Sequence, residues 1–294
     1  MWGKEKRFAM IGEPRIAAIY FGLMQSGYEY YSAGKIQEDV RMWEAWAKLP
    51  VSYDVSFLKE TRQVTAGIYP FASRAAALEM AAFFVDAQNG VFSDEETCLR
   101  KIHVSDILKE RETADFQGWV KGFPKVLRDV MHCEGFGRYI QWEEHWRRQQ
   151  TRLNRGKLQK YDDVVSYFIK KYDLSVQNIS VVYCPLKCAY ASDYLVENGT
   201  LYAISGVLRL EAVLREFLRL LVHPFILKHS DAITSLRNLH RLRVENANYG
   251  DKTDQAKLNT FEAYTIQELM VLIEENRYKV ELEKFLPSLI KPFS

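Results

Sequence analysis

Cysteine, proline, glycine and net charge are all scarce in this chain of 294 residues. Four cysteines, Cys98, Cys133, Cys184 and Cys188, are too few to hold a chain of this size as a disulfide scaffold. With 15 glycines and 8 prolines, about 8% in all against a usual ~12%, long regular elements are favoured, helices above all. Lys and Arg number 40 against 38 Asp and Glu, so no global field points to nucleic acid or to an anionic membrane. Nor is there a long apolar run. The stretch from Phe8 to Leu23 is broken by Glu13, Pro14 and Arg15, and it suits neither a secretory signal nor a bilayer span. What remains is 48% hydrophobic and 13% aromatic, which excludes disorder. These features predict a soluble cytoplasmic protein of a reducing compartment, with no membrane and no nucleic-acid partner.

The first half reads as successive amphipathic helices. Ile16, Ile19, Tyr20 and Leu23 recur at helical spacing, followed by Val40, Trp43 and Ala47, and then by the run Arg74 to Phe84, rich in alanine around Leu78, Glu79 and Met80. Asn89-Gly90 and Phe123-Pro124 mark turns, and Ser93-Asp94-Glu95-Glu96 marks a helix start. A further helix is expected from about Phe123 into the 140s, with Trp142 and Trp146 one turn apart on one side. The segment from His145 to Tyr161 has six basic residues and no acid; it reads as a solvated helix end beside a boundary at Asn154-Arg155-Gly156. The expected division is a helical region over 1–155 and a second region over 156–294, or else one continuous core.

Beyond the helix Tyr161 to Tyr172 the period changes. Ile179 to Cys184 is β-branched and aromatic and ends at Pro185; Leu201 to Ile204 follows the turn Glu197-Asn198-Gly199-Thr200. A long helix is expected from Val207 to Val222, stopped by His223-Pro224. The fold class is therefore α+β, predominantly helical, with one short sheet.

That long helix is mostly apolar, yet it carries Arg215, Glu216 and Arg219. The arginines share a face with Leu208, Ala212 and Val222, and buried charges are costly unless paired. Downstream, Glu268 falls on a helical stripe with Phe261, Tyr264 and Leu272. Two guanidinium groups one turn apart can both reach one carboxylate, so the expectation is a buried Arg215–Glu268–Arg219 cluster.

The string Leu214-Arg215-Glu216-Phe217-Leu218-Arg219-Leu220-Leu221-Val222-His223-Pro224 resembles the zinc helix of the zincin metallopeptidases, HEFxHxxVxP in one gluzincin-like group, with arginine at each histidine position. Ile266-Gln267-Glu268-Leu269 resembles that group's second helix. The resemblance spans most of the chain and implies a zincin-like C-terminal region behind an N-terminal helical region. It implies that Glu216 stands where the general base would act on zinc-bound water, 215 and 219 where imidazoles would bind zinc, and Glu268 where a third ligand would sit. Arginine cannot ligate a cation. The resemblance thus implies a catalytically inactive metallopeptidase homologue without metal or other cofactor, binding a peptide, a protein or a small anion in the former cleft. The alternative is a working hydrolase, with relocated ligands such as His223 and His229 or a metal-free route.

Three other patterns are weaker. Cys184-Pro185-Leu186-Lys187-Cys188 lacks a second cysteine pair for zinc and reads as buried thiols. His132-Cys133 are adjacent and point apart on a helix, and Gly135-Phe136-Gly137 is too short a signal for a phosphate loop.

Overall fold

The computed structural model describes residues 6–25, 76–104, 120–187, 192–206, 208–236, 239 and 253–293. The expected helix around Val40 to Ala47, the connection through Val207 and the thiol of Cys188 lie outside them.

The chain opens with a strand, β1 (Phe8–Ile11), and a helix, α1 (Pro14–Gln25). Pro14, which breaks the apolar stretch from Phe8 to Leu23, opens α1, since its fixed φ and missing N–H suit a first helical position. Helix α2 (76–82) leads into a small hairpin of β2 (Val85–Asp86) and β3 (Val91–Phe92), which turns at Gly90 with φ +68°. Helix α3 (Glu95–Val104) starts at the acidic cluster read as its cap: the Thr97 N–H donates to Asp94 Oδ1 at 3.0 Å. The helix expected from Phe123 is two, α4 (Phe123–Met131) and α5 (Glu134–Leu153), because Cys133 takes an extended conformation between them. Trp142 and Trp146 do stack along α5, and Trp146 stacks in turn on Tyr183 at 4.4 Å. Helix α6 (Arg155–Lys171) follows after Asn154 alone.

Strands β4 (Asn178–Tyr183), β5 (Asp193–Glu197) and β6 (Thr200–Ser205) complete the larger sheet. Its order is β1-β4-β6-β5, with β1, β4 and β6 parallel and β5 an antiparallel edge. Asn198 and Gly199, at φ +47° and +71°, form the tight turn that joins β5 to β6. The N-terminal strand and the middle of the chain meet in this sheet, since Phe8 pairs with Ile179 and Met10 with Val181.

Alternation along the strands gives each face its own core. Phe8, Met10, Ile179, Val181, Leu201 and Ala203 face a core shared with α6 and the C-terminal helices. Val182 and Ile204 face the other, filled by α1, α2, α4 and α5. The sheet is thus a wall between two cores, and β1 brings the N-terminal segment into that wall beside β4. A mixed sheet covered on both faces accounts for the near-continuous apolar run in β4.

The last elements are α7 (Leu210–Lys228), α8 (Ser230–Thr234), α9 (Asp254–Glu274), α10 (Leu282–Ile290) and a closing 3-10 turn (Lys291–Phe293). Helix α7 starts three residues later than expected and does not stop at Pro224. Proline withholds one N–H from the carbonyl of Leu220 and continues the helix to Lys228, where Ile226 is again buried. Among the described residues no helix is long and apolar enough to cross a membrane.

Candidate functional site

Helix α7 packs one face into the core it shares with α6 through Val213, Leu214, Phe217, Leu218, Leu221 and Val222. The charged residues fall on the remaining strip. The Arg215 side chain is 40% exposed and that of Arg219 46%, so neither guanidinium is buried as expected. Their long stems let the charged ends leave a helix whose Cα positions are mostly covered.

Each arginine pairs on its own helix. Arg215 donates to Glu211 Oε1 from Nη2 at 3.2 Å and from Nε at 3.3 Å. Arg219 donates from Nε to both oxygens of Glu216, at 3.1 and 3.0 Å, and from Nη2 to Oε1 at 2.6 Å. The hydrogen bond to Glu216 holds the Arg219 guanidinium above its ordinary range against partial burial, and the charges of Glu216 and Glu262 add to it.

The expected Arg215–Glu268–Arg219 cluster does not form. Glu268 has no ion pair to either arginine; it lies half-buried beside Tyr264, whose phenol is pushed up first by burial and then by the Glu268 charge. The α9 carboxylate that reaches α7 is Glu262, whose Oε1 is 2.8 Å from His223 Nδ1. Six residues separate Glu262 from Glu268, which is about 240° around a helix, so the two cannot face the same neighbour. The stripe of Phe261, Tyr264 and Leu272 contained the right helix but selected the wrong acid.

The assembled constellation is therefore Glu216, Arg219, His223 and Glu262, with Arg215 and Glu211 one turn away. The edge strand β5 borders it. Tyr194 of β5 is pushed up by burial, against a hydrogen bond with Ser192, and it feels the charges of both Glu216 and Arg209. Chemically this is a half-exposed strip of alternating cations and carboxylates. Among the described residues no group of three histidine, cysteine or acidic side chains stands ready to hold a metal ion.

The remaining sequence candidates resolve structurally. Cys98, Cys133 and Cys184 are buried free thiols, and burial pushes Cys98 up to about 12 and Cys184 well above its ordinary value. His132 is exposed with Nδ1 2.7 Å from the Arg128 carbonyl oxygen, while Cys133 is buried, so the two form no nucleophile pair. Gly135 and Gly137 lie inside α5.

One constellation was missed. On the opposite face of the sheet, Lys187 Nζ donates to Glu79 Oε1 at 2.7 Å, to Tyr20 Oη at 2.8 Å and to Asp193 Oδ2. Glu79 is 0% exposed and the Lys187 side chain 5%. The one available signal was a lone acid, Glu79, inside an alanine-rich apolar run.

No family model, no curated protein and no solved structure matches the chain.

Proposed function

We propose that the protein is a catalytically inactive, metallopeptidase-like binding protein that holds a peptide, a protein segment or a small anion along the charged face of α7 beside β5. One observation carries this reading. Both oxygens of Glu216, the position implied for a general base, accept hydrogen bonds from Arg219. Arginine cannot ligate a metal ion, and its permanent charge repels one from the same place. Support also comes from a small sheet whose last strand precedes α7, and from α9 packed against it through Glu262. The reading needs no cofactor, no membrane and no nucleic acid. Three buried free thiols among the described residues suit a cytoplasmic setting.

The contact between His223 and Glu262 favours a second reading, a hydrolase with displaced metal ligands. Elemental analysis of the full chain purified without added metal separates the two. No stoichiometric zinc is expected, and one tightly bound zinc per chain, or peptide hydrolysis lost in Glu216→Gln, overturns the first reading. The paired substitution Arg215→His, Arg219→His is expected to create zinc affinity that Glu262→Gln removes and Glu268→Gln leaves. Absence of zinc binding in a folded double variant overturns the metallopeptidase-like part.

A further inference from the structure

The Tyr20, Glu79, Lys187 and Asp193 constellation ties together α1, α2, the connection after β4 and the edge strand β5. Its donors and acceptors do not balance. The three N–H groups of Lys187 are spent on Tyr20 Oη, Glu79 Oε1 and Asp193 Oδ2, and the Tyr20 hydroxyl also donates to Glu79 Oε1. Glu79 Oε2 is buried with no hydrogen-bond partner among the described residues. An ionised Glu79 therefore leaves a buried anionic oxygen facing no protein donor, whereas a protonated Oε2 leaves only a neutral hydroxyl, a far smaller penalty. One ammonium faces two carboxyl groups, and Asp193, whose side chain is partly exposed, is the one that can stay charged in contact with water.

We propose that this constellation is a pH-sensitive lock, in which Lys187 and Asp193 carry opposite charges, Glu79 keeps its proton at neutral pH, and loss of that proton to solvent loosens α1 and α2 from the β5 edge.

The groups around Glu79 act in the same sense. Burial pushes its carboxyl up to about 8; Lys187 pulls against this and the Asp193 charge adds to it. Cys184, at the end of β4, feels both Glu79 and Glu143, and its fully buried thiol stays neutral. Glu143 on α5 is a second buried acid: burial pushes it up to about 7 against its hydrogen bond from Tyr139 at 2.5 Å and the charge of Arg147.

The folded chain holds a proton on Glu79 that the unfolded chain releases near 4.5, so this contribution to stability is complete below that pH, declines as pH rises, and is gone once pH passes about 8. The full chain is compared with Glu79→Gln, Glu143→Gln and Lys187→Met by melting temperature from pH 5 to 9.5. Relative to Glu79→Gln, the wild-type value is expected to fall by about 5–10 °C between pH 5 and 8 and then level off. Glu143→Gln is expected to keep that relative fall, and Lys187→Met to lower the melting temperature throughout. Parallel wild-type and Glu79→Gln profiles overturn the lock, as does a Glu79→Gln loss at pH 7 as large as that of Lys187→Met. Should Glu79→Gln not fold, the infrared C=O band of a protonated carboxyl is followed in Glu143→Gln. Loss of that band between pH 7 and 9.5, with reduced amide protection in 76–82 but not in α9, supports the lock; no such band at pH 7 overturns it.

Discussion

The two faces of the sheet treat their charges differently. On the α7 side, Arg215, Glu216 and Arg219 sit on a helix that is apolar over most of its circumference, yet their ends reach solvent and each arginine is satisfied within one turn. On the α1 side, Glu79 and Lys187 come from segments with no recognisable motif, and both are buried. Hydrophobic surroundings in sequence are thus a poor guide to buried charge. A long side chain on a helix edge can extend its charged end to water, while a short acid on an alanine-rich helix wedged between a sheet and other helices cannot.

Substitutions on the two faces should differ in scale. Lys187→Met removes the cation that Glu79 and Asp193 share beside α1 and α2 and is expected to cost about 3–5 kcal/mol, read by chemical denaturation at pH 7. A cost below about 1 kcal/mol would mean that water reaches the cluster. On the other face, a double-mutant cycle between Arg219 and Glu216 is expected to give a coupling of a few tenths to about 1 kcal/mol, the range of exposed helical pairs, and to shrink with added salt. The smallest effect is expected for Glu268→Ala, within about 0.5 kcal/mol, because neither Arg215 nor Arg219 is paired with it. A cost of about 3 kcal/mol there would restore the Arg215–Glu268–Arg219 cluster and erase the contrast between the faces.

Much of the architecture was legible from local pattern. Strands β4 and β6, the Asn198-Gly199 turn, the start of α3 and the stack of Trp142 on Trp146 follow from β-branched runs, positive-φ residues, a capping acid and one-turn spacing. Strand β1 was hidden because four apolar residues before Gly12-Glu13-Pro14 look like the start of the following helix; only pairing with β4 makes them a strand. Strand β5 was hidden because Asp193-Tyr194-Leu195-Val196-Glu197 is short and acid-flanked, and its extended form depends on β6. At the candidate site, Arg215, Glu216 and Arg219 do share α7, but neither arginine is buried and their partners are not those expected. Glu211 and Glu216 were available at one-turn spacing on the same helix, and that local solution won over a distant carboxylate.

Composition and periodicity by themselves determined a mostly helical α+β chain with few turns and balanced charge, because those properties depend on neighbours within one or two turns. The tertiary structure alone decided that β1 completes the sheet, that Glu262 rather than Glu268 faces α7, and that Glu79 and Lys187 meet out of contact with water. Each depends on groups brought together across long stretches of chain, as Glu79 and Lys187 are across |i−j| = 108, and no local spacing encodes such a meeting.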